Sequence, residues 1–163
     1  MSLNLEELKK VKGMKFGGIY QDVLLTNHYK NNEISIICKG PLLSFQTQDN
    51  EFFWLLEWEE THLGDDILFV YEQETPHPLN YERIKDQPYQ KYGIAASNYT
   101  ISETFIKNVY GYGEIESTGV RLTSIVLELD NLYLHIITGP VIEIIVKRDY
   151  PVIQIDELIV STE

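Results

Sequence analysis

The chain has one cysteine among 163 residues, so no disulfide can form within it, and a reducing compartment is the expectation. No apolar run reaches the ~18 residues that a membrane-spanning helix needs. The opening MSLNLEELKKVKGMKF is charged and amphipathic, without the apolar segment of a signal peptide. A cytoplasmic location with no membrane partner is therefore expected, and the NYT sequon at Asn98 has no consequence there. Positive charge is scarce as well: 13 Lys and Arg stand against 25 Asp and Glu, a formal net charge of -12. Such a chain is repelled by the polyanionic backbone of nucleic acid. The densest basic cluster, Lys9, Lys10, Lys12 and Lys15, is diluted by Glu6 and Glu7, so no nucleic-acid partner is assigned.

Chemical motifs are missing too. There is no G-x-S-x-G, no P-loop, no dinucleotide fingerprint and no closely spaced His/Cys set. No catalytic residue, metal ligand or cofactor is assigned, and an enzyme is not the leading expectation. The HLGDD stretch holds His62, Asp65 and Asp66, with His77 beyond. Gly followed by two Asp is what a tight turn between strands requires, and the turn is the preferred reading. YGYGE (110–114) has the glycines of a phosphate loop without its lysine, and is read as a tight connection.

What is present is strand chemistry. After a short N-terminal helix marked by Asn4 and Glu7 as a capping box and Gly13 as its stop, the chain runs in short stretches rich in Ile, Val, Phe, Tyr and Trp. Gly, Asn, Asp and Pro break them. Strands are predicted over 19–26, 33–39, 42–47, 51–58, 67–72, 121–129, 133–138, 141–147 and 152–155. Residues 73–113 carry weak periodicity, three prolines and many tyrosines. They read as a loop-rich connection with one short helix after Ser102 and Glu103.

An internal repeat adds detail. Residues 16–47 lie over 118–146 in the order strand, Asn-containing turn, strand, Gly-Pro, strand. Gly17 meets Gly119, Asn32 meets Asn131, Gly40-Pro41 meets Gly139-Pro140, and Cys38 meets Ile137. An isoleucine in that slot makes Cys38 a small buried hydrophobe, and His135, opposite Ile36, a partly buried ring. The expected fold is a single mainly-β domain over 1–163: two duplicated three-stranded β-units forming a sandwich or partly open barrel, with minor helix.

For function the acidic stretch speaks loudest. Residues 40–82 contain ten acids and no Lys or Arg. Glu57, Glu59 and Glu60 surround Trp58, Asp65 and Asp66 follow, and Tyr81, Tyr89 and Tyr92 supply rigid amphipathic groups of the kind that anchor interfaces. These nine residues are the expected contact surface for a basic protein partner. In charge and size the chain is like small acidic immunity or antitoxin-type proteins, and pairing through edge strands into a homodimer is a further expectation. The alternative is a small-molecule or carbohydrate-binding protein or hydrolase. It would use a pocket near Trp54, Trp58 and the 81–112 segment, with the glutamates around Trp58 as acid and base.

Overall fold

Asn4 and Glu7 form the predicted capping box: the Glu7 amide donates to Asn4 Oδ1 at 2.9 Å and the Asn4 amide to Glu7 Oε1 at 3.0 Å. They open α1 (Leu5–Leu8), which continues as a turn of 3-10 helix over Lys9–Val11 and buries Leu8 and Val11. Gly13 beyond it has φ +85°, the left-handed conformation that stops a helix. The computed structural model describes residues 2–28, 32–85, 87–153 and 156–163, and everything else regular in it is β.

The strands are β1 (Lys15–Gln21), β2 (Leu25–His28), β3 (Ile34–Cys38), β4 (Leu42–Gln46), β5 (Glu51–Glu60), β6 (Asp66–Gln73) and β7 (Asn80–Arg83). The second half of the chain supplies β8 (Tyr92–Ala95), β9 (Ser97–Tyr99), β10 (Asn108–Glu116), β11 (Gly119–Glu128), β12 (Tyr133–Ile137), β13 (Ile142–Lys147) and β14 (Glu157–Ser161). They make a five-stranded sheet in the order β6-β5-β4-β1-β9, a seven-stranded sheet in the order β14-β10-β11-β12-β13-β3-β2, and a ribbon, β7-β8. All strand pairs among the described residues are antiparallel. The two large sheets face each other across one core, so the fold is a mainly-β sandwich-like arrangement with a short N-terminal helix.

The core follows from alternation. Ile36, Ile144, Ile136 and Ile125 stand level across four neighbouring strands of the seven-stranded sheet, all with no exposed surface. Opposite them the five-stranded sheet presents Phe16, Phe45, Trp54 and Leu56. Phe45 lies 4.5 Å from the Trp54 ring centroid and meets Phe16 edge-on at 5.9 Å. Such aromatic pairs add about 0.5–1.5 kcal/mol each to what their burial contributes.

The apolar run Phe52–Leu56 is explained by its surroundings. Phe52, Trp54 and Leu56 face the core. Phe53 points the other way and is just as buried, under a second cluster with Tyr20, Leu42 and Leu79. The β7-β8 ribbon forms that cover, with Tyr92 and Ile94 packed against the cluster. Residues 73–113 are thus not mainly loop: they hold β7, β8, β9 and the start of β10. The helix expected after Ser102 is absent, and Phe105 instead makes an isolated bridge to Lys15.

Three further expectations are corrected. The strand predicted over 19–26 is two strands in different sheets, because Gln21 Nε2 donates to the carbonyls of Lys39 and Gly40 and pins the chain where it crosses over. The apolar run Val23-Leu24-Leu25 hid this break. YGYGE lies inside β10, not at a turn. Of the strand predicted over 152–155, Gln154 and Ile155 lie outside the described residues, Val152 and Ile153 are irregular, and the last strand, β14, comes later.

The repeat segments differ in their elements, since 16–47 hold four strands, β1 to β4, divided between the two large sheets and 118–146 hold three, β11 to β13, in one sheet, and they part again at Gly-Pro. Gly139-Pro140 links β12 to β13 within one sheet, whereas Gly40-Pro41 carries the chain from β3 in the seven-stranded sheet to β4 in the five-stranded one. Pairing through β13 sets Ile36 level with Ile136, and Ile137 opposite Glu143. The residue in step with Cys38 is therefore not Ile137, which sits half-exposed on the other face. Cys38 is nonetheless buried, 5% exposed, and burial pushes its thiol up to about 12. Alkylation by iodoacetamide at pH 8 is expected to run at least about a hundredfold slower than for a free thiol, since so little thiolate is present. An equal rate would refute this.

Candidate functional site

The β5-β6 hairpin positions most of the predicted acids. Its turn is closed by hydrogen bonds from the Thr61 amide to the Asp65 carbonyl at 2.8 Å and from the Gly64 amide to the Thr61 carbonyl at 2.9 Å, with Gly64 at φ +87°. HLGDD is therefore a turn, as read. Beyond the edge of the covering ribbon, alternation places Glu57 and Glu59 on the outer face of β5, opposite Phe69 and Ile67 of β6. The Phe69 and Tyr71 rings stack at 6.5 Å. Burial raises the Tyr71 hydroxyl above its ordinary value, and the charges of Glu57 and Glu59 raise it further. Glu57, Glu59 and Glu60 are exposed, and none forms an ion pair among the described residues.

The other predicted residues divide. Trp58 is half-buried, its indole N–H donating to Asp66 Oδ1 at 2.7 Å. Asp65 faces away toward Arg121, 3.3 Å from Nη1. Tyr81 and Tyr92 meet edge-on at 5.4 Å on the ribbon, with Arg83 over the Tyr92 ring at 5.3 Å. Tyr89 lies elsewhere, against Phe105 at 6.4 Å and under Lys15 at 4.9 Å, two strands from β5. The expected surface is therefore one acidic hairpin face and two separate tyrosine positions. Trp54 is fully buried in the core, so of the two tryptophans only Trp58 lines a cleft. That cleft, of about 440 Å³, is also walled by Leu55, Glu57 and Pro78.

A second site was not foreseen. On the outer face of the seven-stranded sheet, a cleft of about 520 Å³ lies between the hairpin turn and Val152, Ile153 and Asp156, floored by Ser124, His135 and Thr138. Its far wall is held in place by Tyr150, whose ring meets Tyr110 and Tyr133 edge-on at 5.3 Å each and whose hydroxyl bonds that of Tyr112. Arg121 stands at the cleft's edge, only 7% exposed. Its Nη1 pairs with Asp65 and, at 2.5 Å, with Glu116, and its Nη2 pairs with Glu114. Burial opposes the guanidinium charge, but the three carboxylates outweigh it and raise the group above its usual value. His135 is pushed down to about 4 by burial and by Lys147, which keeps the ring neutral near pH 7. The ring is more buried than expected, 9% exposed, and is part of the cleft floor.

Parity hid this site in the sequence. Tyr112 pairs with Ser124 and Gly113 with Leu122, so Thr123 is an extra residue, a bulge. Across the bulge, Arg121 and Ser124 come to the same face although three positions apart. Strict alternation would have put them on opposite faces. The available signal was an arginine with hydroxyl residues, RLTS, at the start of an otherwise apolar strand. The chain matches no family model, no curated protein and no solved structure.

Proposed function

We propose that the protein is a non-enzymatic binding module whose β5-β6 face engages a basic protein partner, in the manner of small acidic immunity or antitoxin-type proteins. One observation carries the reading: Glu57 and Glu59 share an outer sheet face with the stacked rings of Phe69 and Tyr71, in a stretch of chain without a single Lys or Arg. Aromatic groups give an interface its desolvated anchors, and unpaired carboxylates around them give it steering and selectivity. Acids already neutralised within the fold would offer a partner far less, and these three glutamates are free of ion pairs among the described residues.

Reversing Glu57, Glu59 and Glu60 to lysine is expected to leave the melting temperature within a few degrees, because all three are exposed. Affinity for a basic protein captured from the native cell should fall by about a hundredfold or more, and the wild-type interaction should weaken as salt rises. Binding indifferent to these charges and to salt would overturn the reading.

A further inference from the structure

We infer that the outer edge of β2 pairs with the same edge of a second copy of this chain, joining the two seven-stranded sheets into one across a two-fold axis. The inference stands without the partner reading, which concerns the other sheet. β2 ends the seven-stranded sheet: one side is paired to β3, the other is open among the described residues, and all four of its residues are exposed. The backbone amides and carbonyls of an open edge are ready donors and acceptors for a further strand. Natural edges are blunted by charge, proline or short length. The other edges of the two large sheets follow that rule: β6 carries Asp66 and Glu72, β14 carries Glu157, and β9 is three residues long. Val23 to His28 contains no Lys, Arg, Asp, Glu or Pro.

Beside this edge lies an apolar groove of about 450 Å³, built by Val23, Leu25, Ile37 and Val141 and lined also by Asp22 and Lys39. Val23 is 65% exposed, Leu25 60% and Val141 42%, so three large apolar groups are left to water around one edge. Charge selects the occupant. Asp22 and Lys39 are both exposed, and neither forms an ion pair among the described residues. A two-fold axis sets one patch against itself, so Lys39 of each copy meets Asp22 of the other while the apolar groups meet between them, the polar-rimmed arrangement of a protein interface. A uniformly basic or uniformly acidic partner would leave one of the two charges repelled. The net charge of -12 opposes the pairing only weakly. The acid-rich stretch 40–82 supplies β4, β5 and β6 of the other sheet and β7 of the ribbon, and charges more than about 8 Å apart are largely screened at physiological salt.

The test is sedimentation equilibrium of the full chain from about 5 to 500 μM, with amide NMR spectra over the same range. The apparent mass is expected to rise from that of the monomer toward twice that value, and the amide signals of Leu25 to His28 to shift with concentration. Leu25→Lys gives this edge the charge that others carry, and should weaken association at least about tenfold. Its melting temperature should stay within a few degrees of wild type because the side chain is exposed. Asp22→Lys sets lysine against lysine at both ends of the interface, and Lys39→Asp sets aspartate against aspartate. Each variant alone should therefore associate at least about tenfold more weakly than wild type. An equimolar mixture of the two restores both opposite-charge contacts, and mixed dimers should form at close to wild-type affinity. A chain that stays monomeric up to about 500 μM, or a dimer unmoved by Leu25→Lys and by both charge reversals, would overturn the inference while leaving the partner reading standing.

Discussion

Replacing Gly113 by alanine is expected to destabilise the fold by about 3 kcal/mol or more, the range of severe overpacking. A Cβ on Gly113 would sit 1.9 Å from the Arg121 carbonyl oxygen and 2.8 Å from its carbon, both backbone atoms that no rotamer change can move aside. The cause is the geometry around β10. Its neighbour β11 carries the extra residue Thr123, and its other neighbour β14 carries Ile159 as an extra residue at nearly the same level. Two bulges lean on the strand there, and only glycine leaves room. Urea unfolding of Gly113→Ala should show a lower midpoint, and the shifts of Ser124 and His135 should move because the bulge that aims Arg121 is displaced. Gly93→Ala is the control. A Cβ there meets nothing closer than Ile84 Cδ1 at 3.5 Å, an ordinary contact, so a change within about 1 kcal/mol is expected. Similar stability for the two variants would contradict the packing described.

Glu51→Ala should cost about 4 kcal/mol. Glu51 is 2% exposed, and its carboxylate accepts four hydrogen bonds. Ser44 Oγ and Gln46 Nε2 donate to Oε2 at 2.5 and 3.0 Å, and the Lys91 and Tyr92 amides donate to Oε1 at 2.8 and 3.1 Å. Removing the side chain strands two side-chain donors and two backbone amides in a buried place, at roughly 1–3 kcal/mol for each group left unsatisfied and not reached by water. The loss has a specific location as well as a size. Because the carboxylate joins β4 and β5 to the residues that lead into β8, hydrogen exchange at Lys91 and Tyr92 should accelerate more than exchange in the isoleucine row of the core. Uniform acceleration across both sheets, or a stability loss under about 1 kcal/mol, would show that the ribbon is held by its apolar contacts alone.

Much of the architecture was legible in the sequence, for local reasons. The strands that became β3 to β6 and β11 to β13 are apolar or alternating runs fenced by Asn, Gly, Asp or Pro, and their predicted limits lie within a few residues of those observed. What failed were features that depend on distant chain. The break between β1 and β2 depends on Gln21 reaching Lys39 and Gly40, and an unbroken apolar run gives no hint of that. The ribbon β7-β8 is weakly patterned because one side rests on Phe53 and the other faces solvent over only four residues per strand. Of the site, the carboxylates were visible by composition alone, whereas the Arg121 cleft required knowing that Thr123 shifts the alternation. Cys38 is buried as expected, but at a position level with Ile142 and on the opposite face from Ile137, the residue that the repeat sets against it.

The sheet order also bears on how the chain reaches its native state. The seven-stranded sheet takes its β3-β2 end from the N-terminal quarter and the rest from the C-terminal third, while the five-stranded sheet takes β9 from the middle and sets it beside β1. All five strands of that sheet lie within residues 15–99, whereas the seven-stranded sheet needs both ends of the chain. A fragment ending before β10 would expose β3 without β13, and a fragment beginning there would lack the sheet that covers its apolar face. The two halves cannot be stored, exchanged or synthesised as independent folding units, and closing the long loops between them places the entropic barrier ahead of most of the stabilising contacts. A slow, all-or-none folder whose last-made strands complete the seven-stranded layer is the kinetic counterpart of this interleaving, and proteolytic or premature termination before β13 would leave a chain with unpaired edges open to association.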